Sequence, residues 1–136
     1  MRFLRVSLAI LLLVCMFCSC GNKRPFNTLT YPNSVGFEPM LSSVLRITSD
    51  ESAIKSFVDM LNACEYNRIE SEMTAEEIKS LVYVDLVDVD FYLDVDHACL
   101  YLCEYERGVY PTPTEAYEIS GFDETVFNAL YETIIE

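Results

Sequence analysis

The chain has 136 residues, 51% of them apolar, with 22 acidic side chains against nine Lys and Arg, a formal net charge of −13 and no Trp. Such a surface repels a phosphate backbone, so nucleic acid is excluded as an expected partner. The apolar share is that of a folded protein, without repeats or low-complexity tracts, and the length allows one modest hydrophobic core.

Residues 1–20 join a basic start (Arg2, Arg5) to an apolar run over residues 6–17, relieved only by Ser7, and then to Cys18, Ser19 and Cys20, with Gly21 and Asn22 following. A positive amino end, an apolar stretch short of the roughly 20 residues a span needs, and a small residue before a cleavable bond make a secretory signal. The junction resembles the lipobox of bacterial lipoproteins in Ser19, Cys20 and Gly21, with Phe17 where Leu is usual and Cys18 where Ala or Ser is usual. The resemblance implies that the Cys20 thiol receives a diacylglycerol, that residues 1–19 are cut away, and that Cys20 heads the mature chain. That cut removes Arg2 and Arg5 but no acid, so the formal charge moves from −13 to −15. The alternative is an uncleaved anchor helix. In either case the expected location is the extracytoplasmic side of the cell membrane, with the bilayer as a partner through acylated Cys20; two or three acyl chains hold durably where one is marginal.

After the signal, residues 20–41 carry Pro25, Pro32, Pro39, Asn22, Asn27, Asn33 and Gly36 without a sustained period. This reads as a lipidated tether that lifts the domain off the membrane. Residues 42–136 are expected to form a single domain. Within it, residues 42–48 suit a strand. Thr48 or Ser49 can then cap a helix, with Thr48 and Glu51 at capping-box spacing, and Ala53, Ile54, Phe57, Val58, Leu61 and Cys64 place one apolar face along it to about residue 65. Thr74 and Glu77 repeat the capping-box spacing ahead of a short helix ending near Leu81.

From residue 82 to 95 the period changes. Val87, Val89, Phe91, Leu93 and Val95 alternate with Asp88, Asp90, Tyr92, Asp94 and Asp96, which predicts a half-buried strand with an acidic outer face and a bulge near residues 85–87. A turn over residues 94–97 leads to a strand over 98–105 that is apolar on both faces and therefore central. Arg107 and Gly108 mark a reversal, Pro111 and Pro113 stiffen the next connection, residues 115–120 suit a last short strand, and a final helix starts near Phe122. The order is β-α-α-β-β-β-α, which implies an α+β fold of two layers, an antiparallel meander with helices packed on one face. In outline the layout resembles small lipoproteins of unknown function from Gram-positive, clostridia-like bacteria, which join a lipobox and tether to a compact α+β domain. The resemblance carries no catalytic residue across.

Of six Cys, Cys15 and Cys18 leave with the signal and Cys20 is taken by lipid. Cys99 and Cys103, four residues apart on one strand, are separated by about 13 Å and cannot bridge. One bond from Cys64 to either remains open, beside the state with three buried free thiols.

The acid-rich segment is the foremost candidate for recognition: Asp88, Asp90, Tyr92, Asp94 and Asp96, beside the single His97. A solvated strand face is its ordinary explanation. A basic envelope protein could meet these carboxylates with Tyr92 as an apolar anchor. Calcium, the alternative, wants several oxygens on one point; residues spread along a strand and lacking the EF-hand spacing do not supply them, and one His is too few for a transition metal. No Cys-x-x-Cys pair, nucleophile elbow or phosphate loop appears, so neither cofactor nor metal nor enzymatic activity is expected. The expectation is a membrane-anchored accessory module of the envelope that acts by binding protein, or else calcium or a small ligand.

Overall fold

The computed structural model describes residues 23–38, 44–104 and 111–134. Cys20 and the reversal expected at Arg107 and Gly108 lie outside them. Seven strands, β1 (Val35–Glu38), β2 (Arg46–Thr48), β3 (Glu65–Ile69), β4 (Val82–Asp85), β5 (Asp90–Asp94), β6 (Cys99–Glu104) and β7 (Thr112–Ser120), and three helices, α1 (Glu51–Ala63), α2 (Ala75–Ile78) and α3 (Glu124–Tyr131), make an α+β fold. All strand pairs are antiparallel, in the order β2-β1-β4-β5-β6-β7-β3.

Side-chain alternation gives the sheet two different faces. Phe37, Val84, Phe91, Leu93, Leu100, Tyr117 and Tyr66 point to the main core, where α1 contributes Ile54, Phe57, Val58 and Leu61, and α3 contributes Phe127 and Leu130. Helix α1 starts at Asp50, whose carboxylate accepts the Ala53 N–H at 2.8 Å, so the cap is neither Thr48 nor Ser49. Thr48 is instead buried, its hydroxyl 2.6 Å from that of Thr133.

The opposite face is closed by the connection from β3 to β4. The Thr74–Glu77 capping box forms as expected, and the short α2 lays Ile78 against Tyr92, Tyr101 and Ala116. Tyr83, Tyr92, Tyr101 and Ala116 stand opposite one another on successive strands, so three rings and one methyl group form the row that α2 covers. Helices α1 and α3 thus share one face while α2 takes the other.

Two longer segments also differ from what the sequence led us to expect. The first is the tether. Residues 23–38 belong to the fold: β1 pairs with both β2 and β4, and Val35 and Phe37 are fully buried. Ahead of it Phe26 stacks on Phe91 (6.0 Å between centroids) and meets Tyr66 edge-on (5.4 Å). Asn62 holds Leu29 by both backbone groups, at 2.8 and 3.0 Å. The Arg24 guanidinium donates to the carbonyls of Leu61 and Asn62, where a cation suits the negative end of α1. Strand β3, which no period announced, follows α1 directly and forms the far edge of the sheet.

The second correction concerns residues 82–95, which form the hairpin β4–β5 and not one bulged strand. Val87, expected inside, sits at the tip of the turn, 72% exposed with φ +73°. The Asp88 N–H donates to the Leu86 carbonyl at 2.9 Å across it, a γ-turn of the positive-φ kind that strains a β-branched residue. Replacing Val87 with Gly removes that strain at the loss of no buried contact. The expected result is a gain of about 1 kcal/mol, a rise of roughly 4 °C in Tm; an unchanged or lower Tm in calorimetry would refute the strain.

Cys64, Cys99 and Cys103 are free. Cys64 belongs to the main core and the other two to the opposite face, so the sheet itself stands between the candidate partners. Burial pushes the Cys103 thiol up to about 11, with the Asp90 charge adding to it. At pH 8 such a thiol is about one-thousandth ionised, against roughly a quarter for an ordinary one. Native protein should therefore leave Cys103 nearly untouched by iodoacetamide at pH 8, with the rate climbing as pH approaches 11, whereas in unfolded protein Cys64, Cys99 and Cys103 should all react. Rapid native alkylation of Cys103 would contradict its placement.

Candidate functional site

Helix α3 begins at Asp123, whose carboxylate accepts the Thr125 N–H at 2.9 Å. Glu124, Phe127, Asn128 and Tyr131 then recur at helical spacing along one flank. This flank, the ends of β4 and β5, and the segment around α2 enclose a groove of about 720 Å³. Its apolar lining includes Val82, Leu93, Val95, Phe127, Tyr131 and Leu81, and its carboxylates are Glu77, Asp94, Asp96 and Glu124. Apolar walls with a few polar groups are the usual make-up of a binding site of this size.

The tight turn between β5 and β6, residues 95–98, builds the groove's only imidazole into it. Asp94 accepts the His97 backbone N–H at 3.1 Å and lies 2.9 Å from Nδ1 through its second oxygen. An ionised carboxylate only accepts, so Nδ1 carries the proton and Nε2 is the acceptor of the neutral ring. Asp94 is 14% exposed and His97 is 77% exposed, so the acid is the fixed partner and the imidazole the accessible one. Ala98 closes the turn at φ +50°.

Acidity is also held in place at the α2 side. Glu77 accepts both the backbone N–H (2.7 Å) and the hydroxyl (2.9 Å) of Thr74, and these bonds hold its carboxyl below the usual carboxylate range. It is therefore a charged point of the groove wall at neutral pH.

As a set of chemical groups the groove suits binding. The Cys99 thiol, two residues beyond His97, donates to the His97 carbonyl at 3.5 Å. Burial and the charges of Asp94 and Glu118 push that thiol up, opposite to what activates a nucleophile. The Ser80 hydroxyl donates to the Glu77 carbonyl at 2.6 Å. Among the described residues, no group of three or more His, Cys, Asp or Glu converges to hold a metal ion.

The five residues singled out from sequence divide between places. Asp94 and Asp96 reach the groove. Asp88 is on the β4–β5 turn and Asp90 at the start of β5, where it accepts the Tyr83 hydroxyl at 3.0 Å. Four residues of strand put Asp90 about 13 Å from Asp94. Tyr92 is buried in the second core, so it cannot anchor a partner on an outer face without that core opening. Missed by sequence were Glu77 and Glu124, about fifty residues apart, which only α2 and α3 bring to one groove. The α3 stripe of Phe127 and Tyr131 was legible, but as core.

Compared with protein-family models, curated proteins and solved structures, the chain matches none. No helix among the described residues is long and apolar enough to cross a membrane.

Proposed function

We propose that the protein is a lipid-anchored accessory module on the extracytoplasmic side of the cell membrane, and that it binds a basic, amphipathic segment of another envelope protein in the groove beside α3. The address rests on the lipobox resemblance ending at Cys20. The binding mode rests on one observation: an apolar groove whose four carboxylates, Glu77, Asp94, Asp96 and Glu124, surround walls large enough for a few side chains. A segment with Lys or Arg flanking an apolar residue would place its cations on the carboxylates and its apolar group on the half-buried Leu81, Val95 and Tyr131.

Cross-linking of the full chain in cells tests this. One reproducible partner should be captured through the groove, and it should be lost both in an Asp94→Lys, Glu124→Lys variant and in a Cys20→Ala control that forfeits the anchor. Retention of the partner by the charge-reversed chain would end the groove reading.

The same groove also supports a second reading, because its volume lies in the range of small-molecule sites: a compact amphipathic cation could occupy it in place of a protein segment. Thermal stabilisation by such an amine, absent in the charge-reversed variant, would favour that reading. Calcium has weaker support, since the carboxylates do not converge.

A further inference from the structure

Structured chain begins immediately after the expected acylation point. Lys23 is separated from Cys20 by three peptide steps, at most about 11 Å, whereas a free tether to residue 41 would allow roughly 25 Å of root-mean-square reach. From Arg24 onward the chain is held to the domain by the Arg24 bonds to Leu61 and Asn62 (3.3 and 3.2 Å), by the paired Asn62–Leu29 bonds and by the Phe26 ring packed on Tyr66 and Phe91. An anchored domain therefore has no slack with which to stand away from the bilayer.

The surface next to that point differs from the rest of the protein. In a chain of net charge −13, no charged residue occurs from Pro25 to Phe37. Asn27, Thr28, Thr30, Tyr31 and Asn33 are exposed along this ribbon, and Lys23 precedes it. Tyr31 is 56% exposed, with its hydroxyl on Asp59, whose charge is balanced by Lys55 at 2.6 Å. Uncharged hydrogen-bonding side chains, one exposed Tyr and one Lys are compatible with phospholipid headgroups, which would repel the acidic remainder.

We infer that in the anchored protein residues 23–33 form a bilayer-facing surface that lies against the headgroups and fixes the orientation of the domain. This rests on the lipid-anchored reading above. The groove shares no lining residue with the ribbon.

The absence of Trp allows a direct test with single reporters in the full acylated chain. Asn27→Trp and Thr30→Trp place the indole on the ribbon; Glu76→Trp places it on α2, across the sheet. In vesicles containing headgroup-spin-labelled phospholipid, both ribbon variants should be quenched several-fold more strongly than Glu76→Trp. Inserting about twelve Gly/Ser residues before Lys23, roughly 20 Å of added reach, should reduce that difference markedly. Equal quenching of ribbon and α2 reporters in acylated protein overturns the docking alone. Membrane-purified protein whose mass reveals no acyl group on Cys20 overturns the anchored reading and the inference with it.

Discussion

Replacing Phe37 with Ala is expected to lower the unfolding free energy by about 3–5 kcal/mol, the range for deleting a buried aromatic ring. Phe37 is fully buried in β1, its ring edge-on to Phe127 at 6.0 Å and to Tyr131 at 5.8 Å. The strand it belongs to joins β2 to the remainder of the sheet. A loss of that size is a large part of the stability of a domain this small, so much of the variant should be unfolded near body temperature. Urea denaturation followed by circular dichroism measures it directly. The position discriminates sharply, because in a tether the same change would cost nearly nothing; a shift below about 1 kcal/mol would return residues 35–38 to the tether.

The second large effect concerns recognition. Reversing Asp94 and Glu124 to Lys should weaken binding of a short Lys-flanked apolar peptide by about thirtyfold at low salt, or about 2 kcal/mol. The magnitude follows from two exposed or half-exposed ion pairs at up to about 1 kcal/mol each, replaced by repulsions. Screening makes the effect salt-dependent: between roughly 0.01 and 1 M salt the Debye length falls from about 30 to 3 Å, and the wild-type affinity should fall toward that of the variant. Calorimetric titration of both chains, after their urea midpoints are compared, separates lost binding from lost folding. Equal affinities in two folded chains would remove charge from the mechanism.

Helix α1 was legible because it satisfies a local rule throughout: apolar residues Ile54, Phe57, Val58 and Leu61 recur with the helical period, and acids occupy its first turn. The capping box of α2 was legible for the same reason, since Thr74 and Glu77 are three residues apart and meet within a single turn. Strand β1 was not legible. Four residues containing Gly36 and set between prolines carry no alternation worth reading, and their burial comes from β2, β4 and the aromatic side chains of α3. At residues 82–95 alternation was read through the turn. The even-numbered Val82 and Val84 and the odd-numbered Phe91 and Leu93 share one face only because residues 86–89 reverse the chain, and a parity rule has no term for that reversal.

From the sequence alone came the expectation of an export signal ending at Cys20, the acidic balance, the α+β class and the two amphipathic helices, each a matter of composition or of residues close along the chain. Tertiary structure decided the rest. It drew residues 23–38 into the domain, buried Tyr92 beneath α2, put the sheet between Cys64 and the other two thiols, and gathered Glu77, Asp94 and Glu124 around one groove. The physical reason is the same in each case: burial and juxtaposition depend on which distant surfaces the sheet order brings together, whereas period, charge and caps act within a few residues.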